Sequence, residues 1–111
     1  MKKTKEILTF GEIIRDRRET INLSIREVAA HINIDPSLLG KIERNERPPT
    51  NEQIELLANY LQFNLSDLKI SVLSDQVVYK ILETSNEIEI LKVAERKVKY
   101  LKNINEKNTS I

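Results

Sequence analysis

Lys41, Arg44 and Arg47 are the side chains best suited to act on another molecule, and the chemistry they offer is recognition of an anionic, hydrogen-bonding surface. They follow a helix start at Asp35-Pro36, an N-cap residue before a proline whose missing N–H costs nothing at the first helical position. Leu38, Leu39 and Ile42 then recur at three- and four-residue spacing and turn inward. Ser37, Gly40, Lys41 and Arg44 are left on the outer face of a helix from about Pro36 to Arg44, with Arg47 in the loop beyond. An ammonium such as that of Lys41 can donate to guanine O6 and N7 in the major groove. Ser37 can serve a base or a phosphate, and Pro36 offers only apolar contact, for instance to a thymine methyl. Arg44 and Arg47, at the helix end, suit phosphate oxygens. Gly40 costs roughly 0.5–1 kcal/mol inside a helix. Either it allows close approach to a base edge or backbone, or a small side chain simply suffices there.

The segment before this helix reads as its support. Ser24-Ile25-Arg26-Glu27 has capping-box spacing and opens a helix with Val28, Ala29 and Ile32 at core spacing. Ser24 and Arg26 sit at a helix start, where a phosphate can be accepted. Asn33-Ile34-Asp35 is a three-residue turn, and the two helices together have the dimensions of a helix-turn-helix. Thr9-Phe10-Gly11-Glu12 opens an earlier helix carrying Phe10, Ile13, Ile14 and Ile21. Pro48-Pro49 forces an extended break, after which Thr50-Asn51-Glu52-Gln53 opens a helix with Ile54, Leu57, Ala58 and Leu61. Ser66 is expected to cap a short fifth helix containing Leu68. Lone His31 is read as a charge closing its helix rather than a catalyst or ligand.

Beyond Ile70 the pattern changes. A helix is expected from Ser74 through Val77, Val78, Ile81 and Leu82, with a restart at Thr84-Ser85-Asn86-Glu87 or one continuous bent helix. Ile88, Leu91, Ala94, Val98 and Leu101 come after it. Because the apolar spacing from Val77 to Val98 drifts across faces, a simple long coiled coil is not expected.

These elements predict an all-α protein. Residues 1–8 form a flexible basic N-terminus, 9–70 a five-helix domain, 71–102 a C-terminal helical extension and 103–111 a frayed tail. With 111 residues there is room for one small domain and an appendage, and a dimer contact would add apolar burial. The chain has no cysteine, which excludes disulfides, thiolate nucleophiles and thiolate metal sites. No nucleophile–base set, metal-ligand spacing or phosphate-cradling glycine loop is present, so neither catalysis nor a cofactor is expected. No apolar run suits a signal peptide or membrane span, and the expected location is cytoplasmic. The net charge is +1, so no global basic field exists and any DNA affinity rests on where charges sit.

The stretch from Phe10 to Leu68 resembles the lambda-repressor/Cro-type domain of the xenobiotic-response-element (XRE) regulators. The resemblance is carried by Gly11-Glu12, Leu23-Ser24, Glu27-Val28-Ala29, Leu38, Lys41-Ile42-Glu43-Arg44, Pro49-Thr50 and Leu57-Ala58. It implies a transcriptional regulator that occupies a palindromic double-stranded DNA operator as a homodimer, with the second helix of the motif in the major groove. It also implies a structural ion pair between Arg18 and Glu43, which removes both from the candidate contacts. Where the family usually has glycine, this chain has Asn22, Asn33 and Asn45. Asparagine is the next most tolerant residue of the left-handed conformation such positions need. Arg17 stands where the family usually has an apolar residue, and its stem can pack while the guanidinium reaches water. The family's dimer contact often involves the fifth helix and the segment after it, here 66–82, with the stretch to Leu101 as a second candidate. The same segments could instead fold back on their own domain. Leu91-Lys92-Val93-Ala94-Glu95 also looks like short regulators found beside DNA methyltransferase and restriction genes. An alternative of a different class is an antitoxin-like interaction module that binds a protein partner through the C-terminal helices.

Overall fold

The structure, a computed structural model, describes residues 8–109, with side chains through Glu106. Among these residues there are six helices and no strand: α1 (Phe10–Thr20), α2 (Ile25–His31), α3 (Pro36–Glu43), α4 (Asn51–Leu61), α5 (Leu65–Ile81) and α6 (Glu87–Thr109). The chain divides into two compact units, one ending at Gln76 and the other beginning at Val77.

In the first unit the helix starts follow the local chemistry. Thr9, Ser24 and Thr50 each accept from the backbone N–H three residues on, while Glu12, Glu27 and Gln53 each reach back to the cap's own N–H. Asp35 holds the N-cap position of α3 without a side-chain bond, so Pro36 is the local signal that acts there. Asn22, Asn33 and Asn45 all adopt positive φ, at 64°, 61° and 63°. Gln62 does the same at 62°, closing α4 with a residue type that gives no such signal.

The core of this unit collects one face of each of α1 to α5. Phe10 and Ile14 meet Val28, Ala29 and Ile32 from α2, Leu39 and Ile42 from α3, the Ile54, Leu57, Ala58 and Leu61 stripe of α4, and Leu68 and Val72 of α5. Ile13 is half-buried at its edge, and Ile21, expected within the helix, is its exposed C-cap.

The Arg17 side chain is half-buried. Its guanidinium donates to the carbonyls of Leu61 and Gln62 and lies 4.1 Å over the Phe63 ring. A cation at the C-terminus of α4 meets the negative end of that helix, which explains a charge where an apolar residue was anticipated. His31 stacks on Tyr60 with ring centroids 3.6 Å apart, tying α2 to α4 in addition to closing its own helix.

The later helices differ from the sequence expectation. There is no short fifth helix and no start at Ser74. A single α5 runs from Leu65 to Ile81, and the boundary expected after Ile70 falls inside it. Asn64, not Ser66, holds the start: its Oδ1 accepts from Asp67 N at 3.0 Å. Ser74 instead donates to the Ser71 carbonyl within the helix, a back-bond that leaves the helix intact.

In the second unit the restart is real, since residues 82–86 separate α5 from α6. The box at Thr84 does not form, because the Thr84 hydroxyl donates back to the Ile81 carbonyl at 2.7 Å. The tail expected to fray from Asn103 continues in helix to Thr109. The N-terminus expected to be flexible, apart from Leu8, and the final residues 110–111 lie outside the described residues.

The start of α1 is fastened to distant parts of its unit. Phe10 N donates to Asp75 Oδ2 at 2.8 Å, and Gly11 N to Asn45 Oδ1 at 3.2 Å. Asn45 Nδ2 donates in turn to Thr9 Oγ1 at 2.8 Å. The donors a helix leaves orphaned at its N-terminus are thus met by three separate segments. Asn45 supplies both a left-handed backbone and two side-chain bonds, which the glycine usual at this position could not. Asn45→Gly keeps the backbone and loses the bonds, for an expected loss of about 1 kcal/mol, while Asn45→Ala adds left-handed strain and should lose about 2 kcal/mol or more. Urea denaturation of the two variants beside the parent tests this: a glycine variant as stable as the parent would show that the side-chain bonds carry nothing, and equal stability of the two variants that the strain does.

Candidate nucleic-acid interface

Helix α3 carries the site because its two faces are chemically split. Leu39 and Ile42 are buried in the core, and Leu38 is half-buried. Pro36, Ser37 and Lys41 stand exposed on the opposite side. Residues 32–35 connect α2 to α3, with Asn33 at positive φ making the reversal. Ile34 N closes on the Ala29 carbonyl at 3.0 Å, so the angle between the helices is held by backbone bonds as well as packing.

Gly40 differs from the other candidates on this helix. It is buried, and a Cβ built there would lie 3.2 Å from Arg44 Nη1, the tip of the side chain folded over it. Gly40 also lines a cavity of about 230 Å³ together with Arg15, Arg18, Ile25, Glu43 and Arg44. What lies over Gly40 within the chain is the flexible tip of Arg44, neither a base edge nor backbone.

Arg44 is the C-cap of α3, and its guanidinium donates to Glu46 at 3.0 and 3.3 Å. That pairing raises the Arg44 pKa and holds the Glu46 carboxyl below its ordinary value. Both side chains are exposed, so a phosphate could replace Glu46 at little cost. Lys41, Arg26 and Arg47 are exposed without such a bond.

Ser24 is committed to its cap. Its Oγ accepts from Glu27 N at 3.0 Å and its N–H donates to Glu27 Oε1 at 2.7 Å. A carboxylate therefore already occupies the start of α2, so Arg26 rather than the helix terminus is the cation available to a phosphate there.

Glu43 lies on the buried side of α3, and Arg18 of α1 meets it with two bonds, Nε to Oε2 at 2.7 Å and Nη2 to Oε1 at 3.0 Å. Arg18 Nη1 also donates to the Leu23 carbonyl at 2.9 Å. This bidentate pair orients α3 against α1 and keeps an acid off the exposed face. At the other side of the same junction Gly11 packs on the end of α3, where a Cβ would fall 2.4 Å from the Glu43 carbonyl oxygen and 2.6 Å from that of Ile42.

Among the described residues no group of three or more His, Cys, Asp or Glu could hold a metal ion, and no helix is long and apolar enough to cross a membrane.

The helix-turn-helix family matches residues 14–68. The restriction-modification controller protein C.AhdI from Aeromonas hydrophila is 30% identical, with a TM-score of 0.50 over 53% of this chain and 89% of that one. The clp gene regulator ClgR from Corynebacterium glutamicum shares the fold at 19% identity, with a TM-score of 0.52 over 79% of this chain and 88% of that one. An uncharacterized Haemophilus influenzae protein is 46% identical over 43 residues, which is 39% of this chain and 14% of that protein's length.

Proposed function

Because this chain belongs to the XRE-type helix-turn-helix family, we propose that it is a DNA-binding transcriptional regulator that occupies a palindromic operator as a homodimer. The observation that carries the reading is the split of α3: one face is core, and Pro36, Ser37 and Lys41 are exposed on the other. In this reading α3 enters the major groove, Lys41 reads a base edge, and Ser37 and Pro36 contact the first bases or phosphates. Arg26, Arg44 and Arg47 meet phosphates on either side, with Arg44 leaving Glu46 to do so. The two half-sites would be centred about one helical turn, roughly 34 Å, apart. Regulation then results from a binding equilibrium without covalent chemistry. The named controller and regulator among the similar structures support the same class of function.

Selection from random double-stranded DNA should enrich an inverted repeat, and failure to enrich any motif at low salt would sink the proposal. Lys41→Ala should relax preference at one base position in each half-site, at about 1–3 kcal/mol for the preferred base. Arg47→Ala should weaken binding on all sequences alike and reduce the salt slope by about 1. If both variants lose affinity with unchanged preference, Lys41 meets only phosphate.

The exposed apolar side chains between Val77 and Leu101 favour a protein contact at that end of the chain. An antitoxin-like module would use them to hold a different protein. Co-purification of such a partner, lost when the chain is truncated after Gln76, would favour that reading.

A further inference from the structure

The cavity of about 230 Å³ at the junction of α1 and α3 is lined by three arginines and, among the described residues, one acid. Its floor is electrically closed, because Glu43 is bound to Arg18, whose third bond goes to the Leu23 carbonyl. Its rim is not closed. Arg15 of α1 and Arg44 of α3 line the same space with side chains 61% and 57% exposed. Their carboxylate partners, Glu19 and Glu46, stand outside the lining, each within four residues of the arginine that it holds. Glu19 also lies 3.9 Å from Arg18 Nη2.

Size and place narrow what this cleft can hold. It is smaller than the roughly 300–1,000 Å³ of pockets that enclose drug-sized ligands, and it suits a compact anionic group. Ser37, Lys41 and Arg44 follow one another at four and three residues, so Arg44 shares the outer face of α3 with them. Gly11, Arg15 and Arg18 recur with the same spacing along α1, and both Gly11 and Arg18 meet the end of α3. Arg15 thus lies on the ridge of α1 that faces α3, on the side where Arg44 folds over Gly40. Exposed arginine–carboxylate pairs hold weakly, whereas two guanidiniums on one phosphate provide forked, charge-assisted bonds.

We propose that this cleft seats one backbone phosphate of the DNA in each half-site, held between Arg15 and Arg44, so that Arg15 is a DNA-contacting residue on α1. The proposal rests on the operator reading above and deepens it with a contact that lies outside the helix-turn-helix itself. With α3 in the major groove, the strand on its α1 side passes the mouth of the cleft, and its phosphate takes the place of both Glu19 and Glu46. The Arg18–Glu43 pair and the close packing of Gly11 fix α1 against α3, so a phosphate gripped from both helices sets the register of Lys41 on the bases. Free phosphate would satisfy the same two charges, but only a DNA strand couples them to the face that carries Lys41.

The test uses the full chain and the duplex obtained by selection, with binding followed by fluorescence anisotropy over a range of salt. Arg15→Gln and Arg44→Gln should each weaken binding about tenfold with the base preference unchanged. The double variant should lose less than the product of the two, with a salt slope lower by about 1, for one phosphate, rather than about 2. Arg15 is exposed and bonded to exposed Glu19, so Arg15→Gln should melt with the parent. Replacing single phosphates by neutral methylphosphonates should reveal one position per half-site that weakens the parent and not the double variant. Losses that multiply, with a slope lower by about 2, would show two separate phosphates and overturn the shared seat. Parent affinity in Arg15→Gln would overturn it as well, and if inorganic phosphate then binds the parent but not this variant, the cleft serves a free anion instead. Failure to enrich any DNA motif would remove the operator reading, whereas an enriched motif bound equally by Arg15→Gln would remove only this seat.

Discussion

Replacing Gly11 by alanine should lower the melting temperature by about 10 °C or more, although the same change in an ordinary helix stabilises it. Gly11 lies in the first turn of α1, and its φ is not in the left-handed region, so conformational freedom does not explain it. Space does. An added Cβ would sit 2.4 and 2.6 Å from two carbonyl oxygens at the end of α3, and backbone cannot rotate away as a side-chain tip can. The Gly11 N–H is also bonded to Asn45, which opposes a sideways shift of α1. Overpacking of this kind costs about 3 kcal/mol or more, and the gain in helix propensity of about 1 kcal/mol does not offset it. A net loss of about 2 kcal/mol in a small domain gives the stated shift at roughly 4–8 °C per kcal/mol. Gly40→Ala is the control, because its Cβ would meet only Arg44 Nη1 at 3.2 Å, which can swing into solvent. It should be neutral or slightly stabilising. A Gly11→Ala chain that melts within two or three degrees of the parent by circular dichroism would show that α1 and α3 can part at no cost.

The contrast between the two glycines marks how far the sequence can be read. Most of what depends on bonds three or four residues long was legible. The boxes at Thr9, Ser24 and Thr50 form as their spacing implies, and the asparagines at 22, 33 and 45 take the backbone that only glycine adopts more easily. The inward face of α3 comes from its periodicity in the same way. Whatever depends on segments brought together by folding was not legible. Nothing local says that Asn45 and Asp75 finish the start of α1 or that Arg17 closes α4. Two local signals pointed to the wrong place because a competitor was nearby. Asn64 took the cap from Ser66, and Thr84 bonded backwards to Ile81 instead of forward to Glu87. Glu46 illustrates a third kind of omission. It lies two residues from Arg44, within easy reach, but its choice of partner depends on the loop after α3. On the proposed DNA face these omissions alter roles more than membership. Gly40 lies beneath Arg44, Ser24 serves as a cap, and Pro36, Ser37, Lys41, Arg26 and Arg47 remain exposed.

The same junction of α1 and α3 sets the second large effect. The side chains of Arg18 and Glu43 are only 9% and 4% exposed, yet both carry charge, and two short bonds join them. Burial alone would disfavour the charged guanidinium, and the Arg18 pKa is nevertheless raised, because the hydrogen bonds to Glu43 outweigh desolvation. Arg18→Met therefore strands a buried carboxylate, and such half-removed pairs lose about 3–5 kcal/mol. The double change Arg18→Met/Glu43→Leu removes the stranded charge as well. It should recover to within about 1 kcal/mol of the parent, since well-packed apolar substitutes for buried pairs are often neutral or stabilising. The third bond, Arg18 Nη1 to the Leu23 carbonyl, is lost in both chains, and it cannot explain a difference between them. Stability and DNA recognition then separate. If the pair serves only to hold α3 on α1, the double variant should fold cooperatively in urea and retain its affinity for the selected DNA. If the fixed fork geometry also aims Lys41, the double variant should be stable but bind less tightly, with weakened base preference. A double variant as unstable as Arg18→Met alone would show that the loss comes from packing around the Arg18 stem rather than from the uncompensated charge of Glu43.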